Sequence, residues 1–365
     1  MTRSNAVTPK TTPPPQLWFI GPFPPPLSGQ SHYNVTLRDR LQASGPVICL
    51  TTGETISGKI RAVIDNTWAI LTRVRHGDTV YTSAPGQMGL WLFLIVIGAL
   101  RLRGLPNFVH HHSFRSINLA PMASHRCLAL IGGANSRHVF LSENMRDRYA
   151  EAYLSPAQIQ DTLVVPNAFL FAQEITEPPQ RDGPVTIGHL SVMTREKGVN
   201  HILCLIERLL PETDYRFVLG GPIHDKELRA EVEAIVKACP DRVEWLGPVQ
   251  GAEKAAFYAR IDLFVLPSQL IDEADPLVLL EAFAAGVPAL ASNRGCIPDR
   301  IMKPEHLMEM ALEPDTERLM ALADAIAEDR AGWSARTQGH ARRLFADARE
   351  QGRAFLKELR SDGDV

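Results

Sequence analysis

The stretch Pro267-Ser-Gln-Leu-Ile-Asp-Glu-Ala-Asp-Pro-Leu-Val-Leu-Leu-Glu-Ala-Phe-Ala-Ala-Gly-Val-Pro288 decides how this chain is read. One apolar run, Leu263–Pro267, leads into it and another, Ala289–Ser292, follows it. Between them, Asp275 before Pro276 reads as an N-cap with proline at the first helical position. Gly286 and then Pro288 read as a helix stop. The spacing therefore predicts strand, helix over 276–285, strand, which is one repeat of a parallel α/β sheet. In open sheets of this kind ligands bind at the carboxyl ends of the strands. The unsatisfied amides of the first helical turn, including Leu277 and Val278, offer an anion site there that suits phosphate.

Two carboxylates flank that site. Glu273 lies in the loop before the helix, and Glu281 lies on it, four residues after Leu277 and so on the same stripe. A ligand with a sugar at one end, a ribose at the other and a diphosphate between them fits this pattern. A second segment, Gly188-His-Leu-Ser-Val-Met-Thr-Arg-Glu-Lys-Gly198, follows another apolar strand. It places Arg195 and Lys197 where a strand gives way to a helix, and cations there can neutralise a diphosphate without a metal.

Working outward, short runs rich in Val, Ile and Phe alternate with longer amphipathic stretches. In the first half the expected strands are Leu17–Gly21, Val47–Thr51, Thr79–Thr82, Phe108–His112, Val139–Ser142 and Leu163–Pro166. In the second half they are Val185–Ser191, Arg216–Gly220, Val243–Gly247, Leu263–Pro267 and Ala289–Ser292. Two such sets imply two doubly wound α/β domains, and 365 residues give room for two cores. The polar segment Ala172–Pro184, with three prolines, is the expected linker. The division is then a tail over 1–15, a first Rossmann-like domain over 16–175 and a second over 176–340. A last helix over 341–365 completes the chain.

Composition narrows the classes. Hydrophobic residues make 45% and charged residues 22%, the balance of a soluble globular protein. A net charge of −3 argues against a general nucleic-acid binder. Five scattered cysteines without a C-x-x-C pair read as buried free thiols, which fits a cytoplasmic location. Residues 1–15 lack an apolar h-region and read as a disordered tail. The apolar stretch Gly89–Leu100 is too short to span a bilayer and reads as a core helix. The competing reading is a surface helix that dips into the inner membrane face, with Arg101 and Arg103 at the headgroups.

Three motifs in the first half bear on function. Gly29, after the proline-rich turn that follows the first strand, precedes a helix expected from about Gln30 and permits close backbone approach to a ligand. In Val109-His-His-His-Ser113, strand alternation puts His110 and His112 on one face. With no third ligand at hand, a substrate-contacting histidine is expected there and no metal. Gly53–Ile60 imitates a P-loop, but Ile60 stands where Ser or Thr must hold Mg²⁺, so it reads as an ordinary βα loop. The only D-x-D, Asp362 to Asp364, lies in the final four residues.

At these residues the chain resembles the GT-B-fold retaining glycosyltransferases of family 4, the glycosyl transferases group 1. The resemblance is carried by Glu273 and Glu281 as E-x7-E, by Pro276–Ala282 with Ala285–Pro288, and by Glu196-Lys-Gly198. Phe217–Pro222, Trp245–Pro248 and Val164–Ala168 also match. It implies two Rossmann-like domains facing across a cleft, with donor binding mainly in the second and acceptor binding mainly in the first. The last helix often crosses back to the first domain.

Carried over residue by residue, Glu273 would hold hydroxyls of the transferred sugar and Glu281 the ribose. Lys197 would bind the diphosphate, helped by amides of Ala274, Asp275, Pro276, Leu277 and Val278 (Pro276 itself has no N–H). Gly29 would lie near phosphate or acceptor. His112, followed by Ser113, would be the cleft histidine, with His110 the second choice. The family often has Gly-Arg where this chain has Gly188-His189, so Arg195 is the candidate substitute.

The implied activity is transfer of a sugar from a nucleotide-diphosphate sugar, UDP- or GDP-linked, to a glycan, polysaccharide or lipid-linked hydroxyl. Retention of configuration is implied, with no cofactor and no donor-site metal. Catalysis would rest on His112, Glu273 and Lys197. The alternative is a non-catalytic nucleotide-sugar-binding scaffold of the same fold.

Overall fold

The computed structural model describes residues 14–25, 28–85, 89–176 and 181–360. Most of the expected tail, part of the expected linker and the D-x-D lie outside the described residues.

Among the described residues, twelve strands form two six-stranded sheets. The first holds β1 (Leu17–Gly21), β2 (Val47–Thr51), β3 (Thr79–Ser83), β4 (Asn107–His110), β5 (Ser136–Phe140) and β6 (Leu163–Val164), in the order β2-β1-β3-β4-β5-β6. The second holds β7 (Thr186–Leu190), β8 (Arg216–Gly220), β9 (Val243–Trp245), β10 (Leu263–Leu266), β11 (Ala289–Ser292) and β12 (Leu307–Met308), in the order β12-β11-β10-β7-β8-β9. Pairing in the second sheet is parallel throughout, with Ile187 opposite Phe217 and Phe264 opposite Ala289. Helices alternate with the strands, so the α/β class with two parallel sheets is as expected. Each of the eleven expected strands has a counterpart. Only the two-residue β12 was not foreseen, because Leu307–Met308 is too short to show a period.

The described residues divide into two compact units, those up to 110 with 130–137 and those from 354 on, and those of 111–129 with 138–353. In the second unit the helix Val199–Leu209 buries Val199, Ile202, Leu203, Ile206 and Leu209 against the sheet. That i, i+3, i+4, i+7 spacing gives one apolar stripe, and each such side chain contributes roughly 1.5–3 kcal/mol by leaving water. Val185, Ile187, Phe217, Leu263, Val265 and Leu290 supply the facing layer.

One expectation changes. The cysteines are free, but only Cys296 is buried, while Cys49 and Cys204 are exposed. Cys49 lies on β2, an edge strand, and Cys204 occupies the outer face of its helix. In α3 (Gly89–Leu102), Leu90, Phe93, Leu94, Val96, Ile97, Ala99 and Leu100 are buried, in line with a core helix. Among the described residues, no helix is long and apolar enough to cross a membrane.

Candidate active site

The second unit brings Lys197 and Glu273 together across 76 residues of sequence. Lys197 Nζ donates to Glu273 Oε2 at 2.7 Å, and Ser268 Oγ donates to the same oxygen at 2.6 Å. The local backbone explains the meeting. Gly198 has φ +78°, and a Cβ there would stand 2.0 Å from the Pro267 carbonyl oxygen. Gln269 N bonds to Glu196 O at 2.8 Å. The loop after β7 is thus laid on the loop after β10, which only glycine permits at 198. Gly295 backs the other side: it has φ +56°, and a Cβ would lie 2.4 Å from the carbonyl oxygens of both Glu273 and Ala274.

The helix beyond this loop runs Leu277–Ala284, and its cap is Pro276, with no side-chain capping bond. The expectation that Asp275 caps it is corrected. Asp275 Oδ1 and Oδ2 accept from Arg300 Nε and Nη2 at 2.9 and 3.1 Å, and Oδ2 also accepts from Asn167 N at 3.0 Å. A buried carboxylate finds more stabilisation in a two-pronged guanidinium than in one exposed amide. Arg300 also donates to Leu141 O at 2.9 Å and is held well into the charged form by Asp275 despite its burial. The consequence is useful. Without a side-chain cap, the first-turn amides of Leu277 and Val278 are left without an intrahelical acceptor.

Glu281 is held differently. Lys254 Nζ bonds to its Oε1, and Tyr258 Oη donates to its Oε2 at 2.9 Å and to Val278 O at 3.0 Å. Burial, and then the Glu281 charge, push the Tyr258 phenol well above its usual range. Glu281 and Glu273 share no partner. Each has its own cation, with the helix start between them. Lys254 and Tyr258 escaped sequence reading, although their i, i+4 spacing on the helix Ala252–Arg260 was a visible signal for one face.

The cation expected at Arg195 goes elsewhere. Arg195 bonds to Glu231 at 2.8 Å and lies 3.9 Å from Asp225, so its charge is spent on an exposed ion-pair cluster. His189, where the resemblance expects arginine, is buried. Its Nδ1 faces Val265 O at 2.9 Å and its Nε2 faces Ser191 Oγ at 2.8 Å. A carbonyl only accepts, so Nδ1 carries the hydrogen and Nε2 accepts from the serine. Burial depresses this imidazole to about 4, so it is neutral at pH 7. Lys197 is the remaining candidate cation of that loop.

The three histidines separate. β4 ends at His110, so strand alternation does not reach His112. In the first unit His110 is buried with Nδ1 2.8 Å from Tyr81 Oη. In the second, His111 Nε2 meets His138 Nδ1 at 2.9 Å inside an aromatic cluster with Phe140 and Tyr149. Burial depresses His112 to about 3. Its neighbour Ser113 donates to Asp272 Oδ1 at 2.8 Å, and Arg115 binds Asp272 Oδ2 at 2.9 Å. The segment after His112 is therefore tied to the residue before Glu273.

In the first unit, Gly29 opens α1 (Gly29–Gln42), one residue earlier than expected, and a Cβ there would meet nothing within 4 Å. It is not a position that demands glycine. At the P-loop-like segment, Gly53 packs on its own helix start, with a Cβ position 2.7 Å from Lys59 N. The loop is closed on itself rather than wrapped round an anion.

Residues 172–331 match the family model for glycosyl transferases group 1. A sulfoquinovosyl transferase of Arabidopsis thaliana is 31% identical over 34% of this chain and 22% of its own length. The first three curated relatives are matched over less than half of their lengths. Among solved structures, Anabaena Alr3699/HepE in complex with UDP superposes with a TM-score of 0.67 at 16% identity, covering 94% of this chain and all of that one. The sucrose-phosphate synthase of Thermosynechococcus elongatus gives 0.66 at 17%, covering 94% and 99%. The chain thus has the fold of GT-B glycosyltransferases and carries, over residues 172–331, a glycosyl transferases group 1 domain.

Proposed function

We propose that the protein is a metal-independent retaining glycosyltransferase of the family 4 type. It moves a sugar from a UDP- or GDP-linked donor to a hydroxyl of a glycan, polysaccharide or lipid-linked acceptor. The observation that carries this reading is the Lys197–Glu273–Ser268 cluster beside an uncapped helix start. Both hydrogen bonds to Glu273 fall on Oε2, which supports a role for Oε1 in accepting from a sugar hydroxyl. The ammonium of Lys197 has further protons to offer a phosphate, and the amides of Leu277 and Val278 would face the same charge. Glu281, steadied by Lys254 and Tyr258, would take the ribose hydroxyls.

In the step we envisage, the acceptor oxygen attacks the anomeric carbon on the face from which the phosphate departs. The carbon–oxygen bond to the β-phosphate breaks, and the acceptor proton passes to that leaving phosphate oxygen. The protein contributes position and charge stabilisation rather than a covalent nucleophile. His112, neutral at pH 7, would orient the acceptor or a sugar hydroxyl. UDP is the first donor base to try, because the Anabaena structure of this fold holds UDP.

The test is incubation with UDP- and GDP-sugars and acceptor hydroxyls, following nucleotide release and the anomeric configuration of the product. Release with retention supports the reading. Tight binding without release across the whole set would assign the chain to the scaffold alternative.

A further inference from the structure

Folding normally leaves apolar side chains scattered singly over a surface, and a row of them along one helix is informative. Twelve large apolar side chains are exposed among the described residues, and eight of them lie on two helices of the first unit. On α2 (Ile56–Thr72) they are Ile56, Ile60, Ile64, Trp68 and Leu71. At 100° per residue these five span about one third of the helix circumference, opposite the buried Ala62 and Ala69. On α3, which packs against α2, Trp91, Ile95 and Leu102 form a narrower row at i, i+4 and i+11. Ile56 is 81% exposed, Trp68 67% and Leu102 80%.

The charge around these rows has one sign in excess. Between residues 54 and 103 there are six Lys and Arg but three Asp and Glu, in a chain whose net charge is −3. Two of the six cations are paired within the segment, Arg75 with the buried Asp78 at 3.4 Å and Arg61 with Asp65 at 3.6 Å, which leaves the excess to the other four. Lys59 and Arg61 flank the apolar row of α2, and exposed Arg73 stands at its end. A pocket of mixed character opens beside the same two helices, where Phe23, Val63, Leu92 and Phe93 face Glu54 and Lys59.

We propose that α2 and α3 form a docking face for an anionic lipid bilayer. Isoleucine and tryptophan side chains would enter the headgroup boundary, with Lys59, Arg61 and Arg73 on the phosphates. The occupant follows from the chemistry: a wide aliphatic row, two tryptophans and a basic border match a bilayer surface, whereas a second copy of this face would set like charges against each other. The purpose we assign to it, bringing a lipid-linked acceptor to the pocket, rests on the glycosyltransferase reading; the binding itself does not.

Vesicle flotation tests this directly, using phosphatidylcholine vesicles with and without phosphatidylglycerol. The wild type should float with the anionic vesicles and much less with the neutral ones. The triple variant Ile60→Ser, Ile64→Ser, Trp68→Ser should lose about tenfold or more in partitioning, since three insertions are removed. Its melting temperature and nucleotide release should stay unchanged, because the three positions are exposed. Lys59→Glu with Arg61→Glu should abolish the preference for anionic vesicles. Failure of the wild type to float, or flotation of the triple variant like wild type, overturns the proposal. So does a concentration-dependent dimer, lost in the triple variant, without vesicle binding. Flotation without nucleotide release would leave this face standing and remove the glycosyltransferase reading instead.

Discussion

Lys197 Nζ and Glu273 Oε2 lie 2.7 Å apart, and each side chain is largely shielded from water. The pair is closed on its third side by Ser268, whose hydroxyl also points at Oε2. A carboxylate so placed is fixed in direction before any ligand arrives, the preorganisation that binding hydroxyls and phosphate requires. Glu273→Gln keeps the shape but exchanges an acceptor for a donor amide. It should lower kcat/KM for transfer by roughly 10–100-fold, for a loss of about 1.5–3 kcal/mol per charged hydrogen bond. Steady-state kinetics at fixed donor checks this. Wild-type rates in Glu273→Gln would remove the residue from the site.

Glu281 should report on the nucleotide rather than on the sugar. Glu281→Ala is expected to weaken UDP or GDP binding by roughly 1–3 kcal/mol, measured by calorimetry. Lys254→Met removes only a support, and its effect should be smaller. A larger loss in Lys254→Met than in Glu281→Ala would mean that the lysine, not the glutamate, meets the ligand.

Gly198→Ala is a backbone test of the same arrangement. The φ of +78° and the 2.0 Å approach to Pro267 O leave no place for a methyl group. A left-handed alanine costs about 1–2 kcal/mol before that contact is relieved. The expected result is a lower melting temperature together with weaker donor binding, because Lys197 moves with its neighbour. An unchanged donor affinity would show that Lys197 acts independently of the loop.

Stability should fall on mild acidification. Burial holds His112 and His138 at about 3 and His125 and His189 at about 4, below the ordinary 6.5. The unfolded chain therefore takes up these protons first. Stability from the neutral imidazoles is complete above about pH 6.5 and is lost as pH falls towards 4 and below. Each group contributes a slope of up to about 1.4 kcal/mol per pH unit in that window. Chemical denaturation at pH 7 and pH 5 reads the difference. Equal midpoints would contradict the buried, neutral assignment.

The ion pair of Asp275 and Arg300 is structural, and its loss should be felt in stability first. Arg300→Met leaves a buried carboxylate without its cation and should cost about 3–5 kcal/mol in thermal or chemical unfolding. A destabilisation below about 1 kcal/mol, on the order of an exposed pair, would mean that Asp275 is not held as described.

The sequence by itself determined the class of fold and the inventory of chemistry. Strands such as β8 and β11 stand at the bounds read from their apolar runs, because a buried parallel strand must be continuously apolar and its ends are marked by turn residues. The Lys-Gly segment and Glu273 stood out for a related reason: they are charged residues in loops at the carboxyl ends of such strands, where open sheets bind ligands. What only the tertiary structure decided was partnership. Nothing in spacing says that Asp275 prefers Arg300 to its own helix, that Arg195 is claimed by Glu231, or that Lys254 and Tyr258 stand over Glu281. Nor could the period of α2 distinguish a face turned inward from one turned outward, since both are apolar. Local propensity acts over a turn or a strand, whereas a charge or a buried polar group settles on the best partner the fold brings within about 3 Å. That choice is made between residues far apart in sequence.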